Sequence, residues 1–282
     1  MGRYLRPTSL EAALASLAEG RLTVLAGGTD HFPARVLAAP EEDILDISAV
    51  PGLRAIRDDG VHRFLPCLAT WSDVIAAELP PDYDGLRAAA RQVGGVQVQN
   101  AGTVVGNVCN ASPAADGIPC LLSLDAEVEL ASIAGHRVLP LGEFLIGPRR
   151  TARRPDELVL GLRIPHAAAP ARAIFQKLGA RRYLVISIVM VAAVAEFASD
   201  GRIARARIAV GACSPVAARL PALESVLVGR WPDAALVLPE HLAPLSPIDD
   251  VRASAAYRRE AALELVRRAV AGLAAPDMVA AA

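Results

Sequence analysis

Two runs of the chain carry residue types that could hold a buried anion. One is Ala26-Gly27-Gly28-Thr29-Asp30, directly after an apolar stretch, and the other is AGTVVGNVCNASPAADG, from Ala101 to Gly117. A diphosphate is held by several main-chain N–H groups converging on it, and bulky side chains on the holding loop would obstruct that approach. Glycine permits it. In the second run Gly102, Gly106, Asn107, Asn110 and Ser112 place small or amide side chains at close spacing. Neither run contains Lys or Arg, so a phosphate here depends on main-chain donors and on hydroxyls such as Thr29, Thr103 and Ser112. The lysine of a P-loop and the GxGxxG pattern of the commonest dinucleotide fold are both absent. The Gly27-Gly28 pair by itself fits an ordinary turn equally well.

Other reactive side chains point less sharply. Cys67, Cys109, Cys120 and Cys213 are scattered, with no CxxC pair and no histidine at ligand spacing, so no metal site is expected and buried free thiols are. Arg149, Arg150, Arg153 and Arg154 form a basic cluster that fits an anionic oxidant such as NAD, an acidic partner surface, or a solvated loop. Asp116 could tune a ligand or cap the turn that follows it. His31 reads as a ligand contact or as a half-exposed residue without a role, and Tyr257 with Arg258 as a helix turning its ring inward.

The elements that must position these residues follow from periodicity. Thr8 and Glu11 form a capping-box pattern before Leu10, Leu14 and Leu17, which share a helix face ended by Gly20, so the first element is a helix. Leu22–Leu25 is a short buried strand running into the first glycine run, and Asp43–Ile47 is another after a break at Pro40. Leu53–Arg57 and His62–Leu65 flank an Asp58-Asp59-Gly60 turn, and Thr70 and Asp73 cap a helix with Trp71, Val74 and Ile75. Leu86, Ala89, Ala90 and Val93 share a helix face stopped by Gly94-Gly95. Residues 100–119 show no period and read as a long structured loop, a place where function concentrates. Strands follow at Glu127–Ser132, Arg137–Leu139 and Leu158–Ile164, then a low-complexity linker at 165–170. Strands at Ala173–Leu178, Ile188–Phe197 and Arg202–Val210, with helices at Pro221–Val228 and Ala253–Leu273, predict a three-stranded antiparallel sheet backed by helices.

The bulk properties suit this plan. The 282 residues are 53% hydrophobic, enough for two domains with their own cores, and 29 basic against 30 acidic side chains give a net charge of -1. That balance gives no nucleic-acid footprint. The N-terminus lacks an apolar signal core, and the longest apolar run, Tyr183–Ala195, is far short of the roughly 20 residues that span a bilayer. A cytoplasmic protein without a transmembrane segment is the expectation.

LAGGTD together with TVVGNVCNASPAAD resembles the paired FAD-binding segments of the flavoprotein subunit of molybdenum hydroxylases, the group of xanthine dehydrogenase and aerobic carbon monoxide dehydrogenase. YLRPTSLEAALASL, DELVLGLRIP, FQKLGARR and DVRASAAYRREAALELVRRA extend the resemblance along the whole chain. It implies an α+β fold: a two-subdomain FAD-binding unit of the vanillyl-alcohol-oxidase (PCMH) type at 1–167, with subdomains of about 1–54 and 55–167. A C-terminal α+β domain at 168–282 completes it. It also implies that Leu25, Ala26, Gly27, Gly28, Thr29, Asp30, Thr103, Gly106 and Asn107 line the pyrophosphate. Cys109, Ser112, Ala115 and Asp116 would follow the rest of the cofactor, with His31 beside the first loop, Lys177 near the flavin, and Leu158 or Val159 against its ring.

Three positions depart from the pattern. Val105 stands where the family has the first glycine of a GGN triplet, and would be strained if that backbone needs a positive φ. His31 replaces an aliphatic residue, and Leu184 or Val185 an acidic one. The function implied is an oxidoreductase subunit in a heteromeric complex, with no catalytic residue and no metal of its own. Molybdopterin would sit on a large partner and [2Fe–2S] clusters on a small one, and electrons would pass through FAD to NAD, a quinone or oxygen. The second-loop run slightly favours a purine or xanthine-type substrate, and no cysteine-rich insertion of the benzoyl-CoA reductase type is present. The competing reading is a flavin-free scaffold that keeps the fold.

Overall fold

The computed structural model describes residues 2–34 and 41–274. It opens with strand β1 (Tyr4–Leu5), helix α1 (Leu10–Glu19), β2 (Thr23–Leu25) and β3 (Ile44–Asp46), the strands forming a parallel sheet in the order β1-β3-β2. A two-residue strand therefore precedes the helix expected first. The helix is capped by Ser9, whose side chain accepts from Ala12 N, and not by Thr8. Ala13, Leu14 and Leu17 are its buried face. The break expected at Pro40 lies outside the described residues.

The next unit holds β4 (Arg57–Asp58), β5 (His62–Pro66), α2 (Trp71–Ala76), α3 (Asp84–Ala90), α4 (Val96–Ala101), α5 (Val104–Asn110) and α6 (Gly117–Ser123). After them come β6 (Glu127–Ser132), β7 (Gly135–Pro140), α7 (Leu141–Phe144), β8 (Leu145–Gly147), β9 (Arg150–Thr151) and β10 (Leu158–Pro165). Five strands form an antiparallel sheet, β4-β5-β10-β6-β7. The reciprocal Thr70–Asp73 capping box forms as expected. The stretch 100–119 is not a loop: it holds the end of α4, all of α5 and the start of α6. A seven-residue helix makes barely two turns, too few for a 3.6-residue period to show among small residues. Val105 lies inside α5 and is buried, so the expected strain does not arise there. The left-handed residue is Ala111, at the helix end, with φ 46°.

Residues 166–170 lead into β11 (Ala171–Leu178), β12 (Val189–Phe197), β13 (Ile203–Gly211) and β14 (Ala218–Arg219), then α8 (Pro221–Leu227) and α9 (Ala255–Gly272). The antiparallel sheet has four strands, β11-β12-β13-β14, one more than expected, because the two-residue β14 is too short to show a period. Strand β12 explains its own composition. Met190, Ala192 and Val194 face the core shared with the first domain, while Val189, Val191, Ala193 and Ala195 face the core under α8 and α9. A strand buried on both faces reads as one continuous apolar run.

Helix α9 reverses an expectation. Tyr257 is exposed, and Arg258 is the buried residue, donating to the carbonyls of Ile188 and Ala212 and to Asp250 Oδ1 at 2.7 Å. Across the domains, Asp125 meets Arg205, Arg207 and Arg219 from β13 and β14. No helix among the described residues is long and apolar enough to cross a membrane.

Candidate functional site

The first glycine run leaves the C-terminal end of β2, and the second forms the cap and body of α5 and the turn before α6. They touch. A Cβ on Gly27 would lie 1.9 Å from the carbonyl oxygen of Ala101, so the absence of a side chain lets the two main chains meet. Gly28 holds φ at 68°, the left-handed region open to glycine at little cost. Two incipient helical bonds follow, Phe32 N to Gly28 O and Ala34 N to Asp30 O. The N–H groups of Gly27, Gly28, Thr29 and Asp30 have no main-chain acceptor among the described residues. Opposite them, Thr103 caps α5 by accepting from Gly106 N at 3.0 Å, which leaves its own hydroxyl proton free to donate.

Between these elements, β10 and β11 lies a cavity of about 790 Å³. Every residue expected at the site lines it: Leu25 to His31 from the first run, Thr103, Gly106, Asn107, Cys109, Ser112, Ala115 and Asp116 from the second, Leu158 and Val159 from β10, and Lys177 from β11. Lys177 Nζ donates to Asp116 Oδ2 at 2.5 Å, and Ser187 Oγ donates to Oδ1 at 2.6 Å. Burial pushes the Asp116 carboxyl above its ordinary value, and the lysine charge, with the two hydrogen bonds, pulls it back. Asp116 thus binds a lysine from the second domain, and its side chain does not cap α6, the turn that follows it.

Sequence reasoning missed part of the lining. Arg149 and Arg153 reach the cavity, whereas Arg150 and Arg154 of the same cluster do not. The Arg149 guanidinium donates to Asn110 Oδ1, and Asn110 Nδ2 donates to Asp30 Oδ2 at 2.9 Å, linking both runs. Gln92, Val93, Gly94 and Val98 line another wall, with Val185 and Ile186 from the segment after β11. These carry no local signal of a site.

Burial also fixes the cysteine chemistry. Cys67 and Cys109 both line the cavity, and desolvation pushes their thiols up to about 12 and about 11. Cys213 is pushed up to about 11 and Cys120 well above its ordinary value. The thiolate is the nucleophile, so native protein at neutral pH is expected to take up iodoacetamide far more slowly than denatured protein, in which all four cysteines react. Rapid native labelling at Cys109, which is half-buried, would contradict the neutral thiol.

The cavity has the volume expected of a cofactor site. It offers main-chain donors without acceptors, and Asn107 Oδ1, buried there, has no hydrogen-bond partner among the described residues. A ligand with an anionic group for those N–H donors and an apolar face for Leu158 and Val159 matches that lining.

Comparison with known proteins agrees with the geometry. A family model described as the FAD binding domain in molybdopterin dehydrogenase matches residues 1–167, and one described as the CO dehydrogenase flavoprotein C-terminal domain matches residues 174–273. The chain is 30% identical to the nicotine 6-hydroxylase medium subunit of Paenarthrobacter nicotinovorans over 95% of each chain. It is 27% identical to the carbon monoxide dehydrogenase medium chain of Hydrogenophaga pseudoflava, again over 95% of each. A solved chain of CO dehydrogenase from Oligotropha carboxidovorans superimposes with a TM-score of 0.88 at 26% identity, covering 97% of both chains. Glycine-run pairing, cavity and whole-chain similarity converge, and the chain belongs to the FAD-binding medium subunits of the molybdenum hydroxylase family.

Proposed function

We propose that this chain is the electron-transfer subunit of a cytoplasmic, heteromeric molybdenum hydroxylase. It takes electrons from [2Fe–2S] clusters of a small subunit and passes them through FAD to a soluble acceptor: NAD, a quinone or oxygen. The observation that carries this reading is the cavity itself, where both glycine runs, an apolar strand and a lysine–carboxylate pair converge. Relatives named as medium subunits support the assembly with a large molybdopterin-binding partner and a small iron–sulfur one.

FAD, when bound, supplies the one- and two-electron chemistry. The chain's part is to bind and orient. The N–H groups of Gly27 to Asp30 and the Thr103 hydroxyl would hold the diphosphate, and Asn107 Oδ1, an acceptor, would take a hydrogen bond from a hydroxyl or N–H group of the cofactor. Leu158 and Val159, both buried on β10, would give the ring an apolar floor, and Lys177, fixed by Asp116, a nearby positive charge. Val185 and Ile186 would narrow the access of water. No residue of this chain needs to move a proton on the organic substrate.

The same fold occurs in relatives named for nicotine and for carbon monoxide, so the organic substrate is chosen elsewhere in such complexes. The second-loop run tilts the reading slightly towards a purine or xanthine-type substrate. Isolation of the complex through a tag on this chain tests the electron-transfer role. Large and small subunits are expected to co-purify, and the flavin band to bleach when substrate is added without oxygen. A chain that purifies alone, or a flavin that stays oxidised while the iron–sulfur bands bleach, would overturn the role.

A further inference from the structure

We propose that Arg149 supplies the countercharge for the diphosphate of FAD, with Asn110 and Asp30 holding the guanidinium in position at the solvent edge of the cavity. The inference rests on the FAD-binding reading above and assigns a charge that neither glycine run contains. Among the described residues, three lysine or arginine side chains line the cavity: Arg149, Arg153 and Lys177. Lys177 is committed to Asp116 at 2.5 Å. Arg153 is held by the main-chain oxygen of Glu157, to which it donates at 2.6 Å, with its charge near Cys109. Arg149 meets no carboxylate among the described residues, only the neutral amide of Asn110.

The backbone holds it there. Arg149 has φ 57° and Ala111 φ 46°, both left-handed without being glycine, and they are joined by Arg149 N donating to Ala111 O at 2.9 Å. Residues kept in such conformations persist where the surroundings over-determine them, and they concentrate at ligand clamps. The amide is oriented too: because Asn110 Nδ2 donates to Asp30, its oxygen faces the guanidinium. The result is a planar, permanently charged fork held beside both runs by a weak neutral partner. A phosphate oxygen pair is a stronger partner for that fork than an amide, and matches its geometry.

The test is titration of flavin-stripped full-length chain with FAD and, separately, with riboflavin, which lacks the diphosphate. Removing one charge-assisted contact in Arg149→Ala is expected to weaken FAD about 10- to 100-fold while leaving riboflavin within twofold of wild type. Arg149→Lys, which keeps charge but loses the fork, should fall between, and Asn110→Ala should reproduce part of the loss. Arg149→Lys also serves if the alanine variant fails to fold by circular dichroism. FAD binding within twofold of wild type in Arg149→Ala and Arg149→Lys, or equal losses for FAD and riboflavin, would overturn the proposal. Wild-type chain that binds no FAD would instead overturn the reading beneath it.

Discussion

Lys177→Met is expected to destabilise the flavin-free chain by about 3–5 kcal/mol, because it leaves the Asp116 carboxylate buried without its countercharge. Both side chains are almost wholly inside, at 6% and 8% exposure, so solvent cannot screen the loss. Adding Asp116→Asn removes the orphan charge, so the double variant should recover most of the stability. The pH dependence follows from the sign of the shift. Asp116 is already raised by burial, and without Lys177 it rises further. A carboxyl with a folded value above its unfolded one costs nothing below the ordinary carboxylate range, and its penalty grows until pH passes the raised value. The gap between wild type and Lys177→Met should therefore narrow as pH falls from neutral towards about 4. Urea unfolding at several pH values measures it; equal midpoints at neutral pH, or no rescue by Asp116→Asn, would contradict the buried pair.

The second large effect is expected at Gly27. Its added Cβ would fall 1.9 Å from Ala101 O and 2.7 Å from Ala101 C, both main-chain atoms, so Gly27→Ala must part the two loops. FAD retention should be lost outright, with a fall in stability. Gly28→Ala is milder on the fold: its Cβ meets the movable ring of Phe32, and the left-handed backbone at φ 68° costs a non-glycine about 1–2 kcal/mol. At Gly106 the neighbour is the capping hydroxyl of Thr103, 2.7 Å from the added Cβ, so Gly106→Val attacks the α5 cap. Absorbance of purified variants at the flavin bands ranks the three. A Gly27→Ala protein that keeps its flavin would refute the close approach of the loops.

What could be read in the sequence depended on how local each signal was. The two runs were legible because a main chain that must approach a ligand or another main chain excludes side chains, and that exclusion shows as glycine and small residues. Long strands were legible from their apolar runs: β10 and β13 fall within a residue or two of their expected bounds. Helix α5 and strand β14 were not, since seven and two residues cannot display a period. Val105 would be strained in a loop with positive φ, but it sits in a helix, where its backbone is ordinary.

Arg149 was visible as one of four clustered arginines, but its meeting with Asn110, 39 positions earlier, depends on how β9 packs against α5. Arg258 hid for a related reason. A charged residue is expected outside, and the carbonyls of Ile188 and Ala212 together with the Asp250 carboxylate, brought to it only by the tertiary fold, make its burial acceptable.

The cavity between the glycine runs is the expected seat of FAD. The direct measurement is the flavin content of the purified full-length chain, by absorbance and by release on denaturation, with FAD added back to any colourless fraction. About one FAD per chain, lost in Gly27→Ala, is the expected result. Folded, colourless protein that takes up no FAD would contradict the account and favour a scaffold that has kept the fold without the cofactor.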